Sequence, residues 1–206
     1  MLLILSVGLL LLIGGTAYYF QKSKEEPNKK FANDLFQEFA AAIVAMNREL
    51  KILDEKNVFD PSVLSNKTSL EAEARKRIES QRIIEKFRND LPHALDLFRQ
   101  KAAVYNISDE QKQALMSGFE KVRPNLSHQG ETICNLLQKR DRSELDFLNF
   151  MASADNEYEL KDGKVFFRSP RAAQLAKSVE DSAWEVDAAI REWRNNLKTN
   201  IRELSQ

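Results

Sequence analysis

Few residues in this chain of 206 could do chemistry, and their spacing limits what that chemistry would be. There are two histidines, His93 and His128, and a single cysteine, Cys134. Asp90 and His93 stand three residues apart, the spacing with which di-iron bundles project two ligands from one helix face. Such centres need a second pair of this kind and two more carboxylates, and the chain has no second Asp/Glu-x-x-His. Pro92 lies inside the spacing and points to the first turn of a helix, with Asp90 as its cap rather than a ligand. A Cys134 nucleophile with His128 as its base meets a geometric objection. Six residues along a helix turn through about 600°, which leaves the two side chains roughly 120° apart. Cys134 therefore reads as a buried structural thiol. No Gly-rich phosphate loop, His-Glu-x-x-His, Gly-x-Ser-x-Gly or cysteine cluster occurs. The expectation is a non-enzyme without catalytic residues, cofactor or metal.

Five aromatic residues remain as a candidate interaction surface or pocket: Tyr158, Phe166, Phe167, Trp184 and Trp193. The first three flank Asp162-Gly163, a pair that supplies the positive φ angles of a two-residue hairpin turn. A lone hairpin is marginal in water, so this one must lie against helices. There its aromatics form either a ligand pocket or, more simply, an apolar plug. Trp184 and Trp193 belong to the last predicted helix and read as core or interface. Asn66, Asn106 and Asn125 each begin an Asn-x-Ser/Thr triplet, but all fall where Asn favours a loop and Ser or Thr a helix start.

The elements that would position these groups are helical. Gly and Pro are sparse, at 6 and 5, and Leu, Ala, Glu, Lys, Arg and Gln dominate. Asn28 can cap a helix whose apolar stripe runs Phe31, Leu35, Phe39, Ile43, Met46, Leu50 and Leu53. Asp60-Pro61 then favours a turn. A second helix is expected from about Thr68, with Ile78, Ile84, Phe87 and Leu91 inward. Pro92 should interrupt it, with Asn89 or Asp90 capping a new helix through Leu95, Phe98 and Ala102. Ser108 to Gln111 has the capping-box pattern and should start a helix through Leu115, Phe119 and Val122. Pro124 should end or kink that helix, before another that carries Ile133, Leu137, Leu145, Leu148 and Met151.

After the hairpin, Ser169-Pro170 supplies an N-cap followed by Pro at the first helical position. The last helix repeats Leu175, Val179, Ala183, Val186, Ile190, Trp193, Leu197, Ile201 and Leu204, which suits a bundle helix or a coiled-coil seam. The fold class is thus all-α. A transmembrane helix over residues 1–20 and a polar linker over 21–30 precede a soluble multi-helix bundle over 31–206, with four to six helices and a hairpin near 157–168.

Met1 to Phe20 carry no charge, and the charges begin at Lys22. At about 1.5 Å per residue the run reaches roughly 28 Å, enough to cross a hydrocarbon layer of about 30 Å. Tyr18, Tyr19 and Phe20 close it like an aromatic belt. No cation precedes the apolar core, and the core is long for a cleavable signal, so an uncleaved anchor is preferred. Gly15 and Ala17 keep cleavage as the alternative. Lys22, Lys24, Lys29 and Lys30 follow the run, which predicts an outside N-terminus and a cytoplasmic domain. A periplasmic or extracellular-facing domain is the alternative. A single cysteine, without a disulfide framework, agrees with the cytoplasmic side.

Lys plus Arg and Asp plus Glu both number 31, so no basic excess suggests nucleic acid as a partner. Cations concentrate between Lys67 and Arg88, and acids between Asp141 and Asp162. These stretches read as solvated faces that can oppose each other in a bundle; a basic surface resting on anionic headgroups is the alternative. The expected partners are the lipid bilayer through residues 1–20 and an unidentified protein, with homo-oligomers admitted. The function that fits is a membrane-tethered, non-enzymatic adaptor or scaffold subunit of an envelope-associated assembly. A membrane-anchored sensor or small-ligand-binding bundle is the second reading.

Overall fold

The computed structural model describes residue 46, residues 48–50, residue 53 and residues 57–204 apart from 105–107, 154–156 and 163. The expected anchor, the linker and most of the Phe31–Leu53 stripe lie outside the described residues. Within them the chain is mostly helical, ordered as α1 (Lys67–Val104), α2 (Asp109–Ser153), β1 (Tyr158–Lys161), β2 (Lys164–Phe167) and α3 (Pro170–Leu204). None of the helices among the described residues is long and apolar enough to cross a membrane.

Local signals set the element boundaries. Asn57 and Asp60 turn the chain, with the Ser62 amide donating to Asp60 Oδ1 at 2.7 Å. Asn66 Oδ1 then caps α1 by accepting from the Ser69 amide at 2.9 Å. At the start of α2 the capping box closes in both directions. The Gln111 amide donates to Ser108 Oγ at 3.2 Å, and the Ser108 amide to Gln111 Oε1 at 3.1 Å. β1 and β2 pair antiparallel, with Tyr158 opposite Phe167 and Lys161 opposite Lys164. Asp162 has φ of 52°, as the hairpin turn requires. Ser169 Oγ caps α3 from the Ala172 amide at 3.2 Å, with Pro170 as its first residue.

Pro92 does not act as expected: it lies inside α1, so Asn89 and Asp90 are mid-helix residues rather than caps. Pro124, expected to end or kink its helix, lies inside α2 and does not end it. Both rings are exposed. Each therefore disturbs the hydrogen-bond ladder on the wet side, where solvent can satisfy the freed carbonyl. Buried neighbours such as Leu91 and Leu95 meanwhile continue the inner row of α1. Ile78, expected to face inward, is 46% exposed, because Arg77 takes the inner position one residue earlier.

The chain falls into two compact units. In the first, whose described residues are 46, 48, 86–104, 108–132 and 190–204, the buried side chains are Met46, Leu91, Leu95, Phe119, Ile190 and Trp193. Gly130 allows α1 and α2 to approach closely here, since a Cβ at this position would stand 2.5 Å from Leu91 Cδ2. Arg123 and Asp96 join the same two helices at 2.6 Å.

The second unit (residues 49–85 and 133–189) holds an apolar core of Val58, Val63, Leu64, Leu70, Phe147, Leu148, Met151, Ala172 and neighbours. Phe59, Phe147 and Phe167 meet edge to face, with centroids 5.1 to 6.5 Å apart. On α3 the buried row Ala172, Ala176, Val179, Ala183, Val186, Ile190, Trp193 alternates steps of four and three along its length. Leu175 is only partly buried, beside the core rather than in it.

Candidate functional site

The five aromatic candidates do not form one site. Tyr158 and Phe167 are partners in the hairpin register and pack against the apolar core of the second unit. The Tyr158 hydroxyl donates to the Leu64 carbonyl, which ties the hairpin to the turn before α1. Burial raises the Tyr158 pKa above its ordinary 10.0, so the phenol stays a neutral donor. Phe166 lies on the opposite face of the hairpin and is 50% exposed, as the two-residue alternation of a strand demands. Trp193 is buried in the first unit. Trp184 is 67% exposed on the side of α3 away from Val179, Ala183 and Val186.

The residues weighed for catalysis are scattered as well. Asp90 and His93 are both exposed along the middle of α1. His128 is exposed on α2, its carbonyl accepting from Thr132 Oγ at 2.9 Å. Cys134 is fully buried, consistent with a structural thiol. Among the described residues, no group of three or more His, Cys, Asp or Glu could hold a metal ion.

The most unusual chemistry lies elsewhere, in a seam of charged and polar residues sealed inside the second unit. Glu73, Arg77 and Ser80 of α1, Arg140, Asp141 and Glu144 of α2, and Ser182 of α3 are all buried. The Arg77 guanidinium is 1% exposed. Its Nη2 donates to Glu73 Oε1 at 2.9 Å within α1, and its Nε pairs with Glu144 Oε2 across to α2. Arg140 donates to Asp141 Oδ1 at 3.0 Å and lies 3.7 Å from Glu144 Oε1. Lys76, at the rim, reaches Glu73 Oε2 at 3.1 Å. Three carboxylates therefore face two guanidiniums, with one ammonium at the edge to balance them. Arg77 comes from the basic stretch and Glu144 from the acidic one, so these stretches do oppose each other at this point.

The seam has no exposed nucleophile, and its guanidiniums are committed to internal carboxylates. The Arg77–Glu144 pair joins α1 to α2 inside the unit. Nothing in the apolar periodicity marks the seam, because each member belongs to a residue type that is ordinarily exposed. A faint signal is present in the sequence: Glu73 and Arg77 are spaced i, i+4 and continue the inward row from Leu70 to Ile84.

Exposed charges bind the helices of this unit at their margins. Lys139 Nζ meets Glu185 at 2.6 Å, Gln138 donates to Glu85 at 2.9 Å, and Ser178 donates to Ser143 at 3.3 Å. Lys177 donates to Asp181 at 2.7 Å, and this hydrogen bond and charge raise its pKa. Compared with known proteins, the chain matches no family, no curated protein and no solved structure.

Proposed function

We propose that this chain is a single-pass, membrane-tethered helical protein that serves as a non-enzymatic interaction or scaffold subunit of an envelope-associated assembly. The uncharged run from Met1 to Phe20 is the basis for the tether. The observation that carries the interaction role is Trp184. This large aromatic is two-thirds exposed on a helix whose opposite face carries the buried row from Ala172 to Trp193. Tryptophan is the residue type most enriched among the anchors of protein interfaces. Around it α3 presents Lys177, Glu180 and Asp181, a polar rim of the kind that surrounds such anchors.

A photo-reactive phenylalanine analogue placed at position 184 of the full chain in its native membrane tests the reading. Irradiation is expected to give one discrete protein adduct that is missing when the analogue replaces exposed Arg82. Adducts of equal yield and variety at both positions, or at neither, would reject Trp184 as an anchor. Alkaline extraction of the same membranes tests the tether separately: release of the chain would reject it. Trp184→Ala is expected to abolish the adduct partner's co-purification and to leave the melting temperature nearly unchanged, with a stability change within about 0.5 kcal/mol.

A further inference from the structure

The three helices of the second unit bring two hydroxyls and a carboxylate to one level of its interior. Arg77 meets Glu144 and Glu85 meets Gln138, so α1 and α2 run antiparallel here. Asp141 lies midway between those two α2 contacts and is level with Ser80 and Gln81. On its other side, Ser143 meets Ser178 and Lys139 meets Glu185, which puts the same Asp141 level with Asp181 and Ser182. Of these neighbours Ser80, Asp141 and Ser182 are the buried ones, at 1%, 0% and 2% exposure.

Their hydrogen bonding is incomplete in a complementary way. Asp141 Oδ1 accepts from Arg140, while Asp141 Oδ2 and Ser80 Oγ have no hydrogen-bond partner among the described residues. Ser182 Oγ donates to the Val179 carbonyl at 2.9 Å and keeps its lone pairs for another donor. Sealed polar atoms in native proteins are nearly always satisfied, and a carboxylate oxygen is among the costliest to leave bare.

We infer that this layer is a binding site for one small neutral hydrogen-bonding guest, a single internal water. The guest donates to Asp141 Oδ2 and to Ser182 Oγ and accepts from Ser80 Oγ. Charge selects its class. Arg77 and Arg140 on the same seam disfavour a cation, and the Asp141 carboxylate disfavours an anion. Three bonds are the usual number for a buried water. Hydration of this layer would let the three helices carry a carboxylate through their interior without a third guanidinium. The site stands on burial, helix register and the unmet hydrogen bonds of Asp141 Oδ2 and Ser80 Oγ, and is independent of the tether and of Trp184.

Two measurements on the full chain in detergent micelles test it together: thermal melts of Ser80→Ala, and magnetisation transfer from water to the amides around residues 80, 141 and 182. A hydrated layer predicts that Ser80→Ala, despite the better helix propensity of alanine, lowers the melting temperature by about 2–4 °C through loss of a guest ligand. It also predicts a water-to-amide Overhauser effect of the sign given by a long-lived bound water. A rise in melting temperature would mean a dry, orphaned hydroxyl and would overturn the inference. A fall without the Overhauser effect would mean a direct Ser80–Asp141 hydrogen bond and would overturn it equally.

Discussion

Two stretches of one interior, carried by the same helices, are built on opposite principles. Near the hairpin, Phe59, Phe147, Phe167 and Leu64 close an apolar core that is held by buried area and edge-to-face rings. Farther along, α1 and α2 face each other through Glu73, Arg77, Arg140, Asp141 and Glu144. In that seam the cost of desolvating each ion offsets much of the attraction between them. Equal burial thus has unequal consequences. The apolar end supplies stability, while the charged seam restricts how the helices can pair, because any slip would leave an ion unmatched.

The largest effect expected from this contrast is at Phe147, which is 0% exposed and central to the ring cluster. Phe147→Ala should destabilise the protein by about 3–5 kcal/mol, read as a lower denaturant midpoint. A loss under about 1 kcal/mol would mean that the core collapses around the change and that the aromatic end is not the stabilising one.

The seam should respond to chemistry in a way that the apolar end cannot. Arg77→Ala leaves Glu73 and Glu144 facing each other without their shared guanidinium, an expected loss of about 3 kcal/mol. Replacing the cross-helix pair together, Arg77→Met with Glu144→Leu, should restore most of that stability or exceed the wild type. Glu73 would still have Lys76 at 3.1 Å, and Arg140 would still have Asp141 at 3.0 Å. Chemical denaturation of the single and double variants reads this directly. If the double variant were as unstable as the single one, the ion pair would be a net stabiliser and the contrast between the two ends would disappear.

The smallest of these effects joins the hairpin to the turn before α1. Tyr158→Phe removes the hydroxyl that donates to the Leu64 carbonyl and should cost about 1 kcal/mol near neutral pH. The folded state holds the Tyr158 proton more tightly than its ordinary 10.0. Its contribution is therefore complete below pH 10.0 and is lost as pH rises through the raised folded value. Melts between neutral and strongly alkaline pH should show a steeper alkaline decline in the wild type than in Tyr158→Phe. Parallel declines would dissociate the phenol from the alkaline loss.

Much of the element pattern was determined by the sequence itself, because the signals act within a few residues. Asp162-Gly163 specifies the hairpin turn, Ser108 with Gln111 the start of α2, and Ser169-Pro170 the start of α3. The four-and-three spacing along α3 likewise anticipates its buried row. Tertiary structure decided the rest. Pro92 and Pro124 lie within long helices because their rings are exposed while apolar neighbours stay packed, and no local rule contains that second condition. Trp184 and Trp193 share one helix and one residue type, yet one faces solvent and the other is buried, according to what packs beside each. Arg77 is inward and Ile78 outward because carboxylates from two helices converge on the guanidinium. Hydrophobicity ranks residues one at a time, whereas the burial of a charge depends on partners that only the folded chain brings together.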